Sequence, residues 1–226
     1  MSISNEDKLS FLISISKGKL APTTLYIEAF NYWYNKPNCT DLYEAAVKIA
    51  FTTLARTVHG IQNNPQRDSM KTEASDYLIS RLKNIPTANQ QEFDTWHQET
   101  SENLIKIFSE HNQNFTFGQA QKWINMSLKH LSLADFNIVK NYYAFCHVPI
   151  DSYIIEGLKT PLVGKEMNQI DTSFDENHQE NIPWSRIDNY TLYLNFQKDF
   201  REKCGEIPLD YEFHLWQKQK DSINER

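Results

Sequence analysis

The chain has 226 residues, of which 40% are hydrophobic, 13% aromatic and 23% charged, with only 6 Gly and 8 Pro. These values exclude a disordered chain and leave little turn chemistry for a sandwich or barrel, so composition leans towards helix. A net charge of −6 counts against a nucleic-acid partner as a bulk property, although residues 88–111 and 161–183 each carry −4, which leaves +2 on the remainder.

A first helix is expected over about 24–34, stopping before Pro37. A second starts after Thr40 as N-cap, places Leu42, Ala45, Ala46, Ile49 and Leu54 on one side, and ends near Gly60. Residues 62–67 form a polar loop around Pro65, and a third helix covers about 71–82. The fourth spans about 90–110, with Phe93, Trp96, Leu104, Ile105 and Phe108 inward and an acidic outer face. Phe117-Gly118 then precedes a helix over 119–131, with Trp123, Ile124, Leu128 and Leu131 on its buried side. Ser132 and Asp135 have capping-box spacing, which predicts a new helix from there to about Phe145. Asp151 stands where an N-cap would stand, just after the bend at Pro149. Residues 161–183 are polar and aperiodic and read as a long surface excursion. Ser185 with Asp188 predicts another capped helix, running to Cys204 and stopped by Gly205, and a last helix starts near Pro208 and runs through Trp216. β signals are weak throughout, so the expected fold is all-α, a single helical domain over 1–226.

The three cysteines, Cys39, Cys146 and Cys204, are odd in number and widely spaced, with no Cys/His ligand spacing. Neither a disulfide framework nor a structural zinc is indicated, and a reducing, cytoplasmic setting is the simpler expectation. The short apolar run at Phe11 follows Glu6 and Asp7 and reads as neither signal peptide nor anchor. No apolar stretch approaches the ~18 residues of a spanning helix. The expectation is therefore no membrane, no metal and no cofactor.

Lys122 and Asp151 are the candidates for chemistry. Lys122 lies just inside a helix entered through Gly118-Gln119, where a helix N-terminus favours an anion and Gly allows close backbone approach. Asp151 caps another helix. An amine and a carboxylate converging in one cleft can perform covalent chemistry at a sugar carbon, the neutral amine as nucleophile and the carboxylate as proton acceptor. On spacing alone, the plainer reading is a solvated helix lysine and an aspartate that only caps.

At these residues the chain resembles the archaeal-type 8-oxoguanine DNA glycosylase/AP lyase group of the helix-hairpin-helix glycosylase superfamily. That group shows Gln-Lys opening a long helix with a second Lys seven residues on, as in Gln121-Lys122 and Lys129 here. A Pro-Ile-Pro-x-Asp stretch follows about thirty residues later, and Val148-Pro149-Ile150-Asp151 stands in that place. Its C-terminal turn and helix carry an acid four residues before a Trp, matched by Gly205-Glu-Ile-Pro-Leu, Glu212 and Trp216. The ordered agreement covers about Phe117 to Trp216. Departures are Met126 in place of an aromatic, no Arg after Asp151, and a longer polar excursion over 161–183.

The resemblance implies a two-lobed helical bundle with a helix-hairpin-helix-like element and a central cleft. It implies Lys122 as the Schiff-base lysine and Asp151 as its catalytic partner. Met126, Glu212 and Trp216 would receive the extruded base, and Gly118, Gln119 and Lys129 would meet the DNA backbone. The implied partner is double-stranded DNA carrying a damaged or modified base, 8-oxoguanine first, bound by a monomer without metal. Two alternatives stand beside it: a non-catalytic helical binding module, and a glycosylase for another modified base.

Overall fold

The computed structural model describes residues 41–159, 167–174, 176–177, 182–213 and 215. The helix expected over 24–34, Cys39 and Trp216 lie outside the described residues. Every regular element among the described residues is helical, so the protein is all-α.

Helix α1 (Leu42–Thr52) is capped by Asp41, one residue past the expected Thr40, and Asp41 Oδ1 accepts the Glu44 N–H at 2.9 Å. Two 3₁₀ turns follow, joined at Gly60, whose φ of +81° is the left-handed conformation that glycine tolerates. Helix α2 (Arg67–Leu82) begins about a turn earlier than expected. Helix α3 (Gln90–Glu110) has the boundaries its periodicity predicts. It ends in a Schellman turn: Asn112 takes φ +55°, its N–H reaches Ser109 O, and Gln113 N–H reaches Phe108 O.

Helix α4 (Phe117–Ala134) departs most from expectation. It runs through Ser132 without a break, because the Ser132 hydroxyl bonds back to Lys129 O at 2.8 Å instead of capping anything. The cap is Asp135, and it opens only the four-residue α5 (Phe136–Val139), so no continuous helix reaches Phe145. Helix α6 (Ser152–Leu158) is capped by Asp151, as expected. Helix α7 (Tyr190–Cys204) starts four residues after the expected Ser185 start, because Asn189 accepts the Leu192 N–H, while Ser185 sits in a 3₁₀ turn (Trp184–Arg186). Gly205 (φ +64°) stops α7 as predicted. Residues 208–213 are helical again.

Two hydrophobic clusters meet along α4 and the C-terminal helix. The first gathers α1, α2, α3 and part of α4. Small residues Ala46 and Ala50 let α1 lie close to α4, where the Trp123 indole donates to Val47 O at 3.0 Å and meets Phe51 edge-on. The second gathers Val148, Ile150, α6, α7 and, against expectation, Met167, Ile170 and Phe174 from the stretch read as surface excursion. The C-terminal helix serves both: Leu209 and Phe213 enter the first cluster, Tyr211 and Leu215 the second. Spacing of four on each pair makes these two distinct faces.

The 184–187 turn is docked on the first turn of α4. Gly118 N–H donates to Ile187 O, the Thr116 hydroxyl donates to Ser185 O, and a Cβ on residue 118 would stand 1.9 Å from Trp184 O. Gly118→Ala therefore forces backbone from backbone, and a loss of about 1–3 kcal/mol or more is expected in urea denaturation. A variant as stable as the wild type would show that the turn is not seated there.

Candidate active site

Every residue of α4 from Gly118 to Ser132 is buried. A helix with its whole circumference inside must find partners for each polar side chain it carries. Among its polar side chains, Gln121, Lys122, Asn125 and Lys129 find partners on other parts of the chain, and these define the site; His130 is the exception. The one-sided apolar face expected of this helix was the wrong picture: its polar side is interior too.

Lys122 Nζ meets Asp151 Oδ2 at 2.5 Å, the two residues lying 29 positions apart. Their side chains are 5% and 17% exposed, so the pair is nearly closed off from solvent. Asp151 uses its other oxygen, Oδ1, to accept the Ile154 N–H at 3.0 Å. Cap and ion pair thus share one carboxylate, one oxygen each. The Trp184 ring lies 6.0 Å from Lys122 Nζ, a half-buried aromatic beside the amine that sequence patterning did not single out.

Two turns further along α4, on the same stripe, Lys129 pairs with Glu212 of the C-terminal helix. Lys129 is fully buried, and its Nζ also lies 4.2 Å from the Phe213 ring centroid. Burial pulls the Lys129 amine down to about 8 despite the opposing Glu212 carboxylate. Burial likewise pushes Glu212 above its ordinary range, with Lys129 opposing. Met126 lies between the two lysines on this stripe and packs into the first cluster. Next door, His130 is buried with neither ring nitrogen hydrogen-bonded among the described residues. Burial first, then the Lys129 and Lys122 charges, lowers its pKa to about 3.

The other flank of α4 carries a buried polar network. His147 Nε2 meets Asp94 Oδ1 at 2.9 Å and its Nδ1 meets the Tyr193 hydroxyl at 2.9 Å. His97 Nε2 meets Asn125 Oδ1 at 3.1 Å and its Nδ1 meets the Tyr190 hydroxyl at 3.0 Å. One assignment serves all four contacts with neutral rings: each histidine donates from Nε2 and accepts a tyrosine proton at Nδ1, the Tyr190 proton being shared between His97 Nδ1 and the Asp94 carbonyl at 3.1 Å. Burial depresses both histidines, and it raises Tyr190 and Tyr193. The hydroxyls therefore stay protonated and can donate.

Gly118, Gln119 and Lys129, which the resemblance would set against the DNA backbone, are each engaged inside the fold. The Gly118 N–H is spent on Ile187 O, and its α-carbon abuts Trp184. Gln119 closes a capping box with Thr116 and donates to Thr57 O at 2.7 Å. Lys129 faces Glu212 in the interior. The Thr116-x-x-Gln119 spacing was a legible capping signal. Asp151 and Lys122 come together as expected, Met126 lies on the Lys122 stripe of α4, and Glu212 reaches Lys129 from the C-terminal helix. Among the described residues, no group of three or more His, Cys, Asp or Glu could hold a metal ion, and no helix is long and apolar enough to cross a membrane. Compared with known proteins, the chain matches no family model, no curated protein and no solved structure.

Proposed function

We propose that this protein is a DNA base-excision glycosylase/AP lyase working through a lysine Schiff base. The reading is supported by one observation above the rest: a nearly buried amine and carboxylate, far apart in sequence, in direct contact at 2.5 Å. Asp151 accepts a proton from the Lys122 ammonium, and the free amine adds to C1′ of the sugar. At an abasic site that carbon is an aldehyde, so addition followed by loss of water leaves an imine. Removal of a C2′ proton then expels the 3′ phosphate and cuts the strand. An extruded base would lie towards Met126 and Glu212, with 8-oxoguanine the first candidate and other modified bases behind it; the resemblance adds Trp216 to its contacts. Flipping costs a few kcal/mol, and stacking returns about 1–3 kcal/mol per base. Because Lys122 is almost enclosed, the groups over it must move for a nucleotide to enter, and Trp184 is one of them.

The test mixes the protein with 8-oxoguanine and abasic duplexes in the presence of borohydride. A covalent adduct is expected, absent in Lys122→Gln. Asp151→Asn is the sharper variant. Asparagine still caps α6 but leaves the Lys122 amine without its counterion, so the variant is compared at matched folded fraction, where adduct formation drops by about 10²–10⁴ through loss of the proton acceptor. No adduct with any duplex would favour the second reading, a non-catalytic helical binding module. The burial of Gly118, Gln119 and Lys129 speaks for that alternative, since these residues serve the fold rather than a phosphate backbone.

A further inference from the structure

The segment carrying Asp151 has no regular structure of its own, yet it is held like a strand. The Gln197 side chain of α7 accepts the Val148 N–H at 2.9 Å and donates to Val148 O at 2.9 Å. Two residues on, the Gln121 side chain of α4 does the same to Ile150, accepting its N–H at 3.1 Å and donating to its carbonyl at 2.9 Å. Each carboxamide makes the pair of bonds that a neighbouring peptide would make in a sheet. Gln121 has no capacity left over. Its remaining N–H goes to Gly118 O at 3.0 Å, and its oxygen also accepts from Asn125 Nδ2 at 3.1 Å. It is 1% exposed.

The register matters. Gln121 precedes Lys122, and Ile150 precedes Asp151, so Gln121 with Ile150 and Lys122 with Asp151 form adjacent rungs between helix and segment. We infer that Gln121 is a positioning residue: through its two bonds to Ile150 it sets the distance between Asp151 and Lys122, without touching substrate. The catalytic consequence rests on the proposed lyase function; the geometric one does not.

The experiment therefore reads both. Carbodiimide joins a lysine and a carboxylate only when they are in contact, and mass spectrometry quantifies the Lys122–Asp151 isopeptide. The half-buried Lys203–Asp199 pair, at 2.8 Å, is the internal control. In Gln121→Met the Lys122–Asp151 yield is expected to fall about 10- to 100-fold, the loss that a displacement on the order of 1 Å brings, with the control unchanged. Should Gln121→Met fail to fold, Gln121→Glu replaces it. That carboxylate keeps the acceptor for Ile150 N–H but has no donor for Ile150 O until it is protonated. Its yield relative to wild type at the same pH should recover as pH is lowered from 7.5 to 5.5. A yield equal to wild type in either variant at every pH overturns the inference. In parallel, the rate of borohydride trapping on an abasic duplex should fall in the variant with duplex affinity unchanged. If the wild type cross-links but never traps, the lyase reading fails and the positioning role stands. If the wild type traps and Gln121→Met traps equally fast, the positioning role fails and the lyase reading stands.

Discussion

Glu212→Gln destabilises the fold by about 3–5 kcal/mol, and the double variant Lys129→Met/Glu212→Leu restores or exceeds wild-type stability. Both partners of this pair are interior, with side chains 0% and 3% exposed. Each ionised group gave up its hydration on folding. The opposing directions of Lys129, lowered, and Glu212, raised, say that this desolvation outweighs their mutual attraction. Removing one charge leaves the other buried without its counterion, the expensive case. Removing both returns the space to the apolar surroundings already supplied by Phe213 and Met126, and gains of about 1–4 kcal/mol are known for such replacements. Urea midpoints of Glu212→Gln and of the double variant decide it. Equal losses in single and double variants would mean the pair is a net source of stability. If the pair also serves base recognition, the stabilised double variant loses adduct formation, so stability and activity part company at these two positions.

Acidification below pH 6.5 destabilises the protein progressively, before most of its carboxylates titrate. Three buried histidines drive this: His97, His130 and His147. Burial lowers all three. The His147 charge adds to the effect on His97, and the Lys129 and Lys122 charges add to it on His130, while Asp94 opposes it on His147. In the unfolded chain each ring takes a proton near 6.5; in the fold it stays neutral. Stability is therefore complete above that value and is lost as pH falls towards the folded-state pKa. Each ring that remains neutral removes about 2 kcal/mol between pH 7.5 and 5. Asp94, lowered mainly by its His147 hydrogen bond against a burial effect that raises it, adds a loss only below about pH 4. His130 is the cleanest group to remove, because its ring has no hydrogen bond to forfeit among the described residues. His130→Leu should be about 1–3 kcal/mol more stable at neutral pH and should flatten the acid slope by one histidine. An unchanged slope would locate the acid sensitivity elsewhere.

Local signals carried part of the architecture. The apolar spacing of Phe93, Trp96, Leu104 and Phe108 placed both ends of α3, Gly205 stopped α7, and Asp151 capped α6. Each of these rests on a few neighbouring residues: a side-chain oxygen within reach of the next turn's N–H groups, or a Cβ-free residue where φ turns positive. Ser132 failed as a cap for the same local reason, since its hydroxyl found the Lys129 carbonyl before any free N–H.

What spacing could not convey was the inside of α4. Counting apolar positions gave one buried face, because a side chain's class says nothing about whether a partner will arrive from 83 positions away, as Glu212 does for Lys129. The same limit turned Gly118, Gln119 and Lys129 into surface candidates, although the first two hold a neighbouring turn and the third a buried charge. Residue identities and short-range geometry chose the helices and supplied an amine and a carboxylate. Packing α1, α3, α7, the C-terminal helix and one irregular segment around α4 chose which polar groups would be desolvated together. Desolvation, a property of the assembled interior rather than of any stretch of chain, is what makes Lys122–Asp151 and Lys129–Glu212 sites instead of surface charges.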